Sequence, residues 1–77
     1  MSEAQLHACA VQAACRMVAH GERPGYRLVA APGGTWRVDG LPGLAIAAGD
    51  LRAARAQARA AIAAALDVDP TAFDVEA

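Results

Sequence analysis

Lysine is absent from this 77-residue chain, and aromatic residues are scarce, with one Trp, one Tyr and one Phe. The basic and acidic residues nearly balance: seven arginines stand against eight acids, and the formal net charge is −1. Non-specific binding to nucleic acid or to an anionic membrane depends on an excess of basic charge. The composition therefore argues against both of these function classes.

Long apolar runs and targeting segments are missing as well. Residues 8–19 are mostly apolar, but Gln12 and Arg16 interrupt them, no basic stretch precedes them, and the run is too short to span a bilayer. We therefore expect a cytoplasmic protein that does not associate with membranes. Its two cysteines, Cys9 and Cys15, should be reduced thiols in that compartment.

Two segments carry apolar residues at helical spacing. Residues 2–19 predict a first helix with Ser2 as its N-cap, and residues 50–66 predict a second with Asp50 as its N-cap. The first helix has two apolar stripes, one formed by Leu6, Ala10, Ala13 and Met17, the other by Val11, Ala14 and Val18. The second helix has one apolar face, as expected of a helix that lies on a sheet: Leu51, Ala54, Ala58, Ala61, Ile62 and Ala65.

Between the helices the apolar period changes to two, which predicts strands at 26–30, 35–39 and 44–48 and a short last strand at 73–76. Pro32-Gly33-Gly34 is suited to a hairpin loop. We predict one α/β domain over residues 1–77 in the order α-β-β-β-α-β. In it, helices pack on one face of a small, mainly antiparallel sheet, and a right-handed crossover places the last strand parallel to the first. The predicted core consists of Trp36, Val38, Ile46, Leu51, Ile62 and Phe73.

From Tyr26 onward, the chain contains a distinctive succession of turns, strands and caps: Trp36 in the hairpin, Leu41-Pro42-Gly43, Gly49-Asp50-Leu51, Ala61-Ile62, and the ending from Asp67-Val68-Asp69-Pro70 through Phe73-Asp74-Val75-Glu76. This succession resembles the HicB family of antitoxins. It covers residues 26–77 and leaves the helix at 1–20 outside. It implies an incomplete RNase H-like core and an antitoxin that neutralises a small ribonuclease toxin by direct binding. Many family members continue into a C-terminal DNA-binding module, whereas this sequence ends at Ala77, so we expect no DNA binding by this chain alone.

Catalytic and metal-binding residue types are present but poorly arranged. RNase H-type chemistry needs several carboxylates around two metal ions, and Asp39 is the only acid on a predicted central strand. We therefore predict that the protein is not an enzyme. Four residues of zinc-ligand type occur in the N-terminal segment: His7, Cys9, Cys15 and His20. No two of them have the i, i+4 spacing of a helical metal clamp. We expect neither a metal nor a cofactor.

The second helix carries the candidate binding residues Arg52, Arg55 and Arg59, which fall within roughly 60° of one another on a helical wheel. The planar guanidinium group of arginine pairs well with carboxylates, so we predict that this row contacts a protein partner. The alternative is that the three arginines form an edge of the helix that only contacts solvent. The opposite flank has almost no polar group: Ala53, Gln57, Ala60 and Ala64. Either the first helix or the same helix of a second subunit could cover it, and the latter arrangement gives a two-fold homodimer.

Two functional hypotheses remain open at this point. The first is an antitoxin-like protein that binds a small toxin, as the HicB resemblance implies. The second is a stand-alone inhibitor or adaptor from a mobile element, of the anti-CRISPR type, which binds another protein target. A toxin-sized reading frame beside the gene would favour the first hypothesis.

Overall fold

The helices and strands follow the predicted order. A computed structural model describes residues 2–76, and Met1 and Ala77, the two ends of the predicted domain, lie outside the described residues. The elements are α1 (Glu3–Ala19), β1 (Gly25–Ala31), β2 (Thr35–Asp39), β3 (Ala45–Ala47), α2 (Leu51–Leu66) and β4 (Asp74–Glu76). The small α+β fold in the order α-β-β-β-α-β is confirmed.

The sheet has the strand order β3-β2-β1-β4. β1 and β2 form the predicted antiparallel hairpin, β3 pairs antiparallel with β2, and β4 lies parallel to β1 with Val75 opposite Tyr26. The position and direction predicted for the last strand are thus confirmed. Because side chains alternate along a strand, the pairing of Leu28 with Val38 places both on the same apolar face of the sheet.

Local side-chain chemistry explains where the elements begin. The Asp50 carboxylate accepts a 2.7 Å hydrogen bond from the Ala53 N–H and starts α2. Ser2 starts α1 through a capping box, in which its hydroxyl accepts from the Gln5 N–H and its own N–H donates to the Gln5 side chain. Gly33 and Gly34, both at positive φ, complete the loop between β1 and β2.

The core lies between α2 and the sheet. Its buried apolar residues are Ala14, Tyr26, Leu28, Val38, Leu41, Ile46, Ala54, Ala58, Ile62, Leu66 and Phe73. Four predicted core residues are among them, and Trp36 is half-buried with its indole N–H donating to the Ala48 carbonyl at 3.3 Å. The prediction for Leu51 is wrong, because 39% of it is exposed. Leu51 is the first residue of α2, and a helical side chain covers the turn that precedes it, where this helix has none.

The first helix meets the core through residues of both of its apolar stripes. Ala14 is buried, Ala10, Val11 and Cys15 pack partly buried against the core, and Leu6 is 43% exposed. α1 packs against α2, and the Cys15 thiol donates to the Leu66 carbonyl at the end of that helix. Residues of both apolar stripes therefore contact the core, Ala10 from one and Val11 and Ala14 from the other, while Leu6 near the start of the helix stays exposed.

The second face of the sheet carries no helix. Its side chains are exposed and mixed in character: Arg27, Val29, Arg37, Asp39, Ala45, Ala47 and Glu76. The cross-strand partners of Arg27 are two acids, Asp39 on β2 and Glu76 on β4. Within the described residues, neither α1 nor α2 is long and apolar enough to cross a membrane.

Candidate functional site

The structure divides the three arginines of α2 into two groups. Arg52 and Arg55 are exposed, and within residues 2–76 neither side chain takes a hydrogen-bond or ion-pair partner. Arg59 is half-buried and donates to the carbonyls of Pro70 and Phe73, the latter at 3.4 Å. Its guanidinium carbon also lies 5.6 Å from the centre of the Phe73 ring. Two guanidiniums thus have no partner within residues 2–76, while the third joins α2 to the segment before β4.

Arg23 holds the same segment from the other side. Its Nη2 lies 2.9 Å from Oδ1 of Asp74, its Nη1 donates to the Thr71 carbonyl at 2.7 Å, and Nη2 also donates to the Phe73 carbonyl at 3.3 Å. The hydrogen bond from Arg23 holds the pKa of Asp74 below its ordinary value and raises the pKa of Arg23. No local pattern signals this residue, because its partners lie about fifty positions further along the chain.

Leu51, Arg52 and Arg55 form an exposed surface at the start of α2, which we call the Leu51 patch. Leu51 and Arg55 are four residues apart, so they lie on the same side of the helix one turn apart. The first turn of α2 contains no acidic residue, and it places Arg52 near the positive end of the helix dipole. The patch thus combines an exposed apolar side chain with a cation in an unfavourable position for helix stability.

The alanine flank of α2 stays uncovered. Gln57, Ala60 and Ala64 are exposed, and Ala53 is half-buried. The interpretation that α1 covers this flank is wrong, because α1 meets α2 elsewhere, where Cys15 contacts Leu66. A homodimer formed through the flank stays a prediction.

The remaining chemistry-bearing residues are dispersed. Asp39 ends β2 on the uncovered sheet face, and Cys9 is exposed on α1. The ring Nδ1 of His7 lies 3.0 Å from the Pro42 carbonyl oxygen and hydrogen-bonds to it. In the described part of the chain, no three His, Cys, Asp or Glu side chains are grouped so that they could hold a metal ion.

Tyr26 is the buried titratable residue of the core. Burial raises the pKa of its hydroxyl, and the nearby Cys15 thiol raises it further. Its ring meets the Phe73 ring edge-on, with 6.0 Å between the ring centres. Tyr26 therefore acts as a packing residue that links β1 to the segment held by Arg23 and Arg59.

Compared with protein-family models, with curated proteins and with solved structures, the chain matches none of them. The resemblance to HicB antitoxins therefore stays a prediction that rests on the motifs in residues 26–77.

Proposed function

We propose that this protein is a non-enzymatic, antitoxin-like binding module that neutralises a small ribonuclease toxin by direct contact. The observation that carries the proposal is the Leu51 patch, in which an exposed leucine adjoins two exposed arginines without partners in residues 2–76. Arginine is enriched in protein interfaces and pairs with carboxylates through two parallel hydrogen bonds. The partner surface that fits this patch is acidic around a small apolar centre.

The position of Arg52 supports a role in binding. A cation in the first turn opposes the helix dipole, and an acidic residue there would stabilise α2 by about 0.3–1 kcal/mol. Residues that break a local stability rule without a compensating contact are candidates for function. Within residues 2–76, Arg52 has no such contact.

The motifs that resemble HicB supply the class of partner, a small toxin. In the fold, these motifs lie next to strands of one sheet: the turn at 41–43 precedes β3, and the ending at 67–76 includes β4. In this proposal the protein acts in the cytoplasm, where the exposed Cys9 stays a free thiol.

The second hypothesis, an inhibitor or adaptor of the anti-CRISPR type, draws support from α1. This helix of 17 residues lies outside the resemblance, yet it contributes Ala14 to the core. An integral extra helix is consistent with a compact core adapted to a different protein target. The two hypotheses share the Leu51 patch and differ in the partner.

The test is co-expression of the tagged chain with the product of the adjacent reading frame, followed by co-purification and an assay of RNA cleavage. We expect the wild-type protein to retain the partner and to suppress cleavage. Arg55→Glu should weaken retention, whereas the matched control Arg16→Glu, which reverses an exposed arginine on α1, should not. Equal retention by both folded variants would remove the patch from the binding surface. A target other than a ribonuclease would favour the second hypothesis.

A further inference from the structure

The uncovered sheet face contains a depression of about 490 Å³, which falls in the size range of ligand-binding clefts. It opens between β1, β2 and the loop that joins β2 to β3. Its lining residues are Glu3, Val29 and residues 37–44. The depression shares no lining residue with the Leu51 patch.

The wall of the depression is held in place by the rest of the fold. The loop turns through Gly40 and Gly43, both at positive φ, and the fully buried Leu41 anchors it in the core. The N–H of Leu41 donates to the Val38 carbonyl, and the N–H of Leu44 donates to the Leu41 carbonyl, each at 3.2 Å. The loop therefore needs little ordering when it meets a partner.

The first helix adds two further contacts to this wall. His7 hydrogen-bonds to the Pro42 carbonyl oxygen at 3.0 Å, and the Glu3 side chain lies against Gly43. Both contacts come from the part of the chain that the HicB resemblance leaves out. They give α1 a role beyond the core, as the support of the loop that borders the depression.

The lining combines apolar area with both signs of charge. Val29 is 39% exposed, Leu44 is half-buried, and Pro42 is exposed. Two carboxylates, those of Glu3 and Asp39, line the depression, and within residues 2–76 neither forms an ion pair. The apolar residues fit an aliphatic side chain, and the carboxylates fit a cation next to it.

We propose that this depression binds an extended segment of a partner protein in which an aliphatic residue adjoins a basic one. The aliphatic side chain packs on Val29 and Leu44, and the basic group pairs with Asp39 and Glu3. The guanidinium of Arg37, which also lines the depression, donates to a backbone carbonyl of the segment. The depression would thus be a second binding surface on this protein. It prefers a basic partner segment, whereas the Leu51 patch is proposed to contact an acidic partner surface.

The test is a titration of the full-length, ¹⁵N-labelled protein with N-acetyl-Leu-Arg-amide, followed by backbone amide shifts. N-acetyl-Leu-Glu-amide is the charge-reversed control. We expect the Leu-Arg peptide to shift the amides of Val29 and residues 37–44, and to bind at least about 5-fold more tightly than the Leu-Glu peptide. Asp39→Asn should weaken the Leu-Arg peptide by about 2- to 5-fold, because exposed ion pairs contribute modestly.

Two further variants separate the effect of the carboxylates in the depression from the effect of the contacts that hold its loop. Glu22→Gln removes an exposed carboxylate outside the depression and should leave both affinities unchanged. His7→Ala should weaken the binding of both peptides by a similar factor and leave the ratio of their affinities unchanged. The substitution removes the hydrogen bond that holds the loop but keeps the carboxylates of Glu3 and Asp39. Equal affinity for the two peptides, shifts confined to other residues, or no shifts would overturn the proposal. These readouts do not involve the Leu51 patch, so either proposal can fail while the other stands.

Discussion

Arg59→Ala should destabilise the protein far more than Arg55→Ala, although the two residues are neighbours on one face of α2. Arg59 donates to the carbonyls of Pro70 and Phe73 and lies over the Phe73 ring. Hydrogen bonds from a charged donor contribute about 1.5–3 kcal/mol when well formed, and a cation–π contact contributes about 0.5–1 kcal/mol at exposed sites. Because Arg59 is only half-buried and one of its bonds is long, we expect a net loss of about 1–2 kcal/mol.

A loss of that size should lower the melting temperature by roughly 5–15 °C in a domain of this length. Arg55 has no partner in the described residues, so Arg55→Ala should change the free energy of unfolding by less than about 0.5 kcal/mol. Thermal and urea unfolding followed by circular dichroism would compare the two variants. Equal melting temperatures would refute the division of the arginines into structural and free groups. Arg59→Lys should fall between Arg59→Ala and the wild type, since lysine keeps the charge without the planar fork.

Three further outcomes can be checked on the same protein. Arg52→Glu should raise the free energy of unfolding by up to about 1 kcal/mol in low-salt urea titrations, because it replaces a cation with an anion at the positive end of the α2 dipole; an unchanged or lower value would contradict this. Ile62→Ala should cost about 2–5 kcal/mol, because Ile62 is fully buried, and an unchanged melting curve would mean that its packing is misassigned. The lowered pKa of Asp74 favours its ionised form in the folded state, so this stabilisation is present above the ordinary carboxyl pKa and is lost as pH falls through the lowered value. Arg23→Ala should remove that part of the acid sensitivity in pH-dependent unfolding, and an unchanged profile would refute the assignment.

The hairpin of the sheet could be predicted from sequence because its determinants are local. The alternation around Leu28 and Val38 sets which face is buried, and the glycines after Pro32 fix the register of the hairpin. The parallel placement of β4 followed from the helical connection through α2, because parallel strands need a crossover of about that length. These rules use only the local residue pattern and the lengths of the connections between elements.

The errors arise where a position depends on the ends of elements. Leu51 belongs to the apolar face of α2 by helical angle, yet it is exposed because no turn of helix precedes it. Leu6 likewise belongs to an apolar stripe of α1, yet it is 43% exposed close to the start of that helix. Angular position on a wheel says which residues share a face, and only tertiary packing decides which face is buried.

The candidate site could be predicted only in part, because a helical wheel does not show which other segments of the chain approach α2. A wheel groups Arg52, Arg55 and Arg59 by angle, but it cannot show that the segment at 70–73 returns beside Arg59 and occupies its guanidinium. That return depends on Phe73, whose burial draws the chain back to the middle of α2. Within residues 2–76, the arginines of the row without partners therefore lie at the start of the helix, where Leu51 is also exposed. The return of the segment at 70–73 thus decides which part of the row the proposed partner would meet.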